Sequence, residues 1–87
     1  MIETYLSRER ASEMERQTSR LLHAIAQLVA AAGPDRNPRI RHARSYFVAD
    51  DETCYHVIEA PSIAVVHEIA RRAGLTPDRV VAAASAG

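Results

Sequence analysis

One run of this chain leaves little freedom in how it folds. Between Arg41 and Leu75 it reads RHARSYFVADDETCYHVIEAPSIAVVHEIARRAGL, two alternating segments around an acidic turn, then a helix with a stop signal at each end. From Ile40 to Ala49, Ala43 and Phe47 fall on odd positions and His42, Arg44 and Tyr46 on even ones, the period of two that a strand shows. Cys54 to Glu59 reads as the partner strand, with Asp50, Asp51 and Glu52 as the turn between them. Such a loop sets Val48 opposite Cys54, Tyr46 opposite His56 and Arg44 opposite Ile58. A slip of one residue would send every one of these side chains to the other face.

Pro61 ends the second of these strands and Ser62 is placed to cap the helix that follows. Ile63, Val66, Ala70 and Ala73 form its apolar stripe, with Glu68, Arg71 and Arg72 turned to water. Gly74 and Leu75 have the pattern of a Schellman ending, in which a left-handed glycine lets the next apolar residue fold back on the last turn.

The flanks supply three more elements. Ile2, Thr4 and Leu6 alternate with Glu3, Tyr5 and Ser7, a first strand. Ser12 and Glu15 fit a capping box, and Met14, Thr18, Leu21, Ile25, Leu28 and Ala32 then recur at helical spacing, with Leu22 and Val29 widening the stripe and Arg16, Arg20, His23 and Gln27 off it. Gly33 and Pro34 end that helix, PDRNPR is a polar loop, RVVAAAS is a fourth strand, and AAASAG is a frayed end. The order strand, helix, strand, strand, helix, strand predicts one α+β, ferredoxin-like domain over residues 1–87, an antiparallel sheet in the order 4-1-3-2 with both helices on one face. That leaves the other face bare on a chain of 87 residues, so a homodimer through the sheet is expected.

Eleven basic residues balance eleven acidic ones, which gives no field to draw in nucleic acid. LLHAIAQLVAAAG is too short to cross a bilayer, so no membrane partner is expected. Cys54 is the only cysteine, so no internal disulfide can form, and the charged start MIETYLSRER lacks a signal peptide's apolar run. A cytoplasmic protein is expected.

With the hairpin in this register, the helix-free face gathers His42, Arg44, Tyr46, Cys54 and His56, and the first strand adds Glu3 and Tyr5. Burying imidazole, guanidinium and carboxylate together is costly unless they pair or hold a ligand. One outcome is internal pairing, Arg44 to Glu3 and Tyr46 to His56. Another is a metal site on His56, Cys54 and His42, since imidazole and thiolate suit nickel, zinc or copper. His67 at the flank of the second helix is more simply a surface residue, and His23 a solvated one.

The run from Ser45 to Val80 resembles a small nickel-binding-protein family whose usual pattern reads His-Ser-Tyr, an acidic turn, Tyr-Cys-Val-Tyr-Glu-Ala-Pro, then Glu-His-Ala-Arg-Arg-Ala-Gly. Ser45, Tyr46, Tyr55, Val57, Glu59, Ala60, Pro61, Ala70, Arg71, Arg72, Ala73, Gly74 and Asp78 carry the match. The resemblance implies a ferredoxin-like homodimer and, for some members, nickel binding. Three departures bear on that: Arg44 and Ile69 stand where the family has histidine, and His56 where it has cysteine. Two uses of the pocket follow, a metal ion on His56 with Cys54 or His42, or an anionic or polar small molecule held by Arg44, Tyr46, His56, Glu3 and Tyr5. By analogy of fold, the same pocket would serve a cofactor-independent cyclase, isomerase or monooxygenase, with Tyr46, His56 and Arg44 moving protons and stabilising an oxyanion. A purely structural dimerisation module, extended by Val65 and Ile69, is the remaining reading. No serine-histidine-aspartate grouping, phosphate loop or dinucleotide fingerprint is present.

Overall fold

The computed structural model describes residues 1–33 and 39–82. Its elements are β1 (Ile2–Tyr5), α1 (Glu13–Ala32), β2 (Arg41–Val48), β3 (Thr53–Glu59), α2 (Ile63–Arg72) and β4 (Arg79–Val80), with single 3-10 turns at Arg8–Arg10 and Ala49–Asp51. The strands lie in the order β2-β3-β1-β4 with every pair antiparallel. Read from the opposite edge this is 4-1-3-2, the α+β ferredoxin-like arrangement. PDRNPR apart from Arg39, and the end of the chain beyond Ala82, lie outside the described residues.

The core is the layer between sheet and helices. Ile2 and Ile58 from the sheet meet Leu21, Ala24 and Ile25 of α1, Val66, Ile69 and Ala70 of α2, and Ala73. Removing each of the larger aliphatic side chains from water contributes about 1.5–3 kcal/mol. Two sequence expectations about this layer need correction. Leu22 and Val29 are exposed, and Ala24 takes the buried place between them. Ile69, expected at an outer interface, is fully buried, while Ile63 is 43% exposed.

The helix ends follow local rules, with one exception. Ser62 adopts an extended conformation and its side chain accepts from Val65 N–H, as a cap does. Gly74 at φ 71° closes α2, with Leu75 N–H donating to Ala70 C=O and Gly74 N–H to Arg71 C=O, the paired bonds of a Schellman motif. Gly33 at φ 79° ends α1. The capping box at Ser12 does not form. The preceding 3-10 turn brings Ser12 in with helical dihedrals and no side-chain cap bond, and Met14 N–H is satisfied by Ala11 C=O instead.

The hairpin differs from expectation by one residue. Ala49–Asp51 forms a 3-10 turn and Glu52 adopts a left-handed conformation at φ 44°, so four residues rather than three separate the strands and Val48 pairs with Thr53. Tyr46 then faces Tyr55, Ser45 faces His56 and Phe47 faces Cys54. A second irregularity lies between His42, paired with Ile58, and Arg44, paired with Val57. This bulge places His42 and Arg44 on opposite faces although both are even-numbered.

Candidate functional site

The shift in register redistributes the polar residues. On β3, Cys54, His56 and Ile58 turn toward the helices and are buried, and the paired positions Ile2, Thr4 and Ser45 turn with them. Arg44, Tyr46, Tyr55, Glu3 and Tyr5 project from the helix-free side. The shared pocket expected of Arg44, Tyr46 and His56 is therefore not assembled within one chain. The expected partners also change: Glu3 lies 3.9 Å from Arg79, and Tyr46 stacks on Tyr55 with ring centroids 5.1 Å apart and planes at 19°.

What the helix side assembles is a hydrogen-bonded cluster around His56, whose side chain is wholly buried. Its Nε2 lies 2.8 Å from Gln17 Oε1 on α1 and 3.4 Å from Cys54 Sγ. The Nδ1 lies 2.6 Å from Ser45 Oγ, and Ser45 Oγ lies 2.8 Å from His42 Nε2. Thr4 donates to Gln17 Oε1 at 3.1 Å. Thr18 offers its single hydroxyl hydrogen to Ser45 Oγ at 3.0 Å or to Met14 C=O at 2.9 Å. An amide oxygen has no hydrogen to give, so Nε2 carries the ring proton and donates to Gln17, leaving Nδ1 to accept from the Ser45 hydroxyl. Among the described residues every buried side-chain nitrogen and oxygen has a partner.

Electrostatics follows from this enclosure. Burial, with a smaller contribution from neighbouring His42, lowers the His56 pKa to about 4, so the ring is neutral at pH 7. Burial lowers His42 as well. It pushes the Cys54 thiol up, with neighbouring Thr4 acting more weakly in the opposite sense.

The fit of a metal ion rests on these donors. A nitrogen and a thiolate bound to one ion at roughly 2.0 and 2.3 Å lie about 3.0–3.5 Å apart for angles between square and tetrahedral, and the Cys54–His56 separation falls inside that window. Gln17 Oε1 is the nearest oxygen donor. Among the described residues no three histidine, cysteine, aspartate or glutamate side chains converge to hold an ion, so the chain's own set is a nitrogen-sulfur pair with an amide oxygen. His42 reaches this set only through Ser45. His67 and His23 are exposed on the helices, and His23 Nε2 lies 3.1 Å from Gln27 Nε2. A cleft of about 250 Å³ opens elsewhere, between Ile58, Pro61, Ile63, Val66 and Val81.

Gln17 and Thr18 are site residues that sequence reasoning missed or placed only on an apolar stripe. The signal was available: Gln17 precedes Leu21 by four and continues the Leu21, Ala24, Ile25 stripe, so a polar residue there faces the sheet.

These observations define a class, a ferredoxin-like α+β domain with a soft-donor pair buried between sheet and first helix. The family model described as "Nickel responsive protein SCO4226-like" matches residues 5–82, and the chain belongs to that nickel-responsive family. No curated protein and no solved structure matches it. No helix among the described residues is long and apolar enough to cross a membrane.

Proposed function

We propose that the chain binds a divalent transition metal, nickel by family membership, through Cys54 Sγ and His56 Nε2 with Gln17 Oε1 as the oxygen donor. The observation that carries this reading is the 3.4 Å approach of the two soft donors, with the far nitrogen of the imidazole beside the Ser45 hydroxyl, a group able to accept the Nδ1–H that a ring ligating through Nε2 would carry. Cys54 must lose its proton to ligate, so binding strengthens as pH rises. A cytoplasmic setting, where thiols stay reduced, suits a free buried cysteine. Calorimetric titration with nickel and with zinc tests the proposal. One equivalent should bind the wild type, and Cys54→Ser or His56→Asn should remove measurable heat while circular dichroism stays native. Absence of heat together with a metal-free elemental analysis, or binding that survives both substitutions, refutes it.

The helix-free face supports a second part of the reading, self-association. Tyr46 is 39% and Tyr5 64% exposed, and the Tyr46–Tyr55 stack presents flat aromatic area flanked by Arg44 and Glu3. A two-fold axis would use that patch twice, so Tyr46, Tyr5, Arg44 and Glu3 would meet a second copy rather than a small molecule. Sedimentation equilibrium should give a dimer that Tyr55→Glu converts to a folded monomer. A wild-type monomer at high concentration contradicts it.

A further inference from the structure

We propose that the outer edge of β2 is a pairing surface for the β2 edge of a second copy of this chain, the two strands running antiparallel about a two-fold axis at Tyr46. This edge is a separate surface from the helix-free face and does not rest on the association read there.

The two edges of the sheet are finished differently. At one, β4 is only two residues long, and the Asp78 carboxylate accepts the Tyr5 N–H that lies beyond the end of β4. Short edge strands of this kind prevent one sheet from pairing with another. At the other edge β2 runs for eight residues. Among the described residues, no backbone group from Arg41 to Val48 bonds anything outside the hairpin.

Alternation fixes which of these groups point outward. Leu6 N–H donates to Glu52 C=O at 2.8 Å, and the same register sets Thr4 opposite Cys54 and Ile2 opposite His56. Antiparallel pairs are alternately bonded and unbonded, so Cys54 and His56 aim their backbone groups at β1, while Thr53, Tyr55 and Val57 aim theirs at β2. Their partners Val48, Tyr46 and Arg44 are thereby engaged, and the N–H and C=O of Ser45 and Phe47 face out. The irregularity between His42 and Arg44 confines regular strand to Arg44–Val48. Within that stretch, a two-fold at Tyr46 lets Ser45 of each chain exchange both its bonds with Phe47 of the other. Moving the axis to Ser45 would instead set Phe47 against the bulge.

Charge and aromatic area make the matching strand another copy of β2. Arg41 and Arg44 stand at its start, and Asp50 and Asp51 follow its end. Antiparallel pairing lays each basic end beside the other chain's acidic turn, whereas parallel pairing would set like charges together. Among the described residues neither Arg44 nor Asp51 forms an ion pair, so both charges are available. Tyr46 already stacks on Tyr55 on its inner side and is 39% exposed. At the axis it meets the second Tyr46 at an unbonded position, where side chains come closest, and the stack continues across the junction.

Amide exchange of the isotope-labelled full chain, dilute and concentrated, tests this together with sedimentation velocity over the same range. A single strand pair is a small interface, so its formation should depend on concentration. On concentrating the wild type, exchange at Ser45 and Phe47 should slow about tenfold, as when about nine chains in ten are paired, and the mass should rise above its dilute plateau. The amides of Arg44, Tyr46 and Val48, bonded to β3, should be protected at both concentrations. Arg44→Asp or Asp51→Arg alone should keep the mass at the plateau and the two amides fast, and the double variant should restore both. Ser45 and Phe47 amides with one rate at both concentrations, single variants that associate like the wild type, or a double variant that stays at the plateau overturn the proposal. The plateau itself reports on the other surface: a dilute monomer would count against association through the helix-free face, and the rise above it would still measure the edge.

Discussion

On the helix side of β3, His56 is enclosed by Ser45, Gln17 and Cys54. On the other side its neighbour Tyr55 lies against Tyr46, which is 39% exposed. Both residues carry a polar atom on an aromatic ring, yet burial gives them different roles. The buried ring must have every polar atom matched, so its neighbours are specified and removing one leaves others unsatisfied. The open ring keeps water as an alternative partner, so its contacts are replaceable. A site that needs fixed donors belongs on the first side, and a surface for association belongs on the second.

The sharpest way to break this contrast is to truncate the two rings in turn. His56→Ala opens a cavity and orphans Ser45 and Gln17, so urea unfolding should show a loss of about 3–5 kcal/mol, whereas Tyr55→Ala in the monomer should cost about 1 kcal/mol. Equal losses would mean that the two faces are energetically alike. Acid is a second lever, acting only on the buried side. The unfolded His56 binds a proton near pH 6.5 and the folded one only near pH 4, so the unfolded state holds more protons between those values. Stability is therefore full above pH 6.5 and falls as pH drops toward 4, by on the order of 3 kcal/mol from this residue, with His42 adding in the same sense. His56→Leu should flatten that part of the curve. A weaker perturbation is Gln17→Ala, which removes the acceptor of both His56 Nε2–H and Thr4 and should cost about 1–3 kcal/mol in thermal or urea unfolding. On the open face, Arg44→Ala should stay within about 0.5 kcal/mol and change only the salt dependence of self-association.

The sequence announced what local chemistry controls and hid what depends on one turn. Ser62, Gly74 and Leu75 mark the ends of α2 because caps and left-handed glycines act within a few residues, and the alternation in β2 and β3 identified a hairpin. The register was not legible. It depends on Glu52, a residue with a side chain, adopting the left-handed conformation that glycine or asparagine usually signals, and on a bulge near Ala43 that no residue type marks. Those two irregularities decide which face His56 occupies, so the residues Cys54, His56 and His42 could be chosen from type and spacing while their surroundings could not. Gln17 shows the converse case, a polar residue whose helical spacing was the informative feature rather than its polarity.

Thiol reactivity of Cys54 tests the location of the site most directly. With Cys54 fully buried behind α1, a disulfide reagent should modify the folded protein orders of magnitude more slowly than the urea-unfolded chain, because reaction must await opening, and one equivalent of nickel should slow it further. Modification of the native protein as fast as that of the unfolded chain, with nickel making no difference, would place Cys54 on the open face and contradict the account.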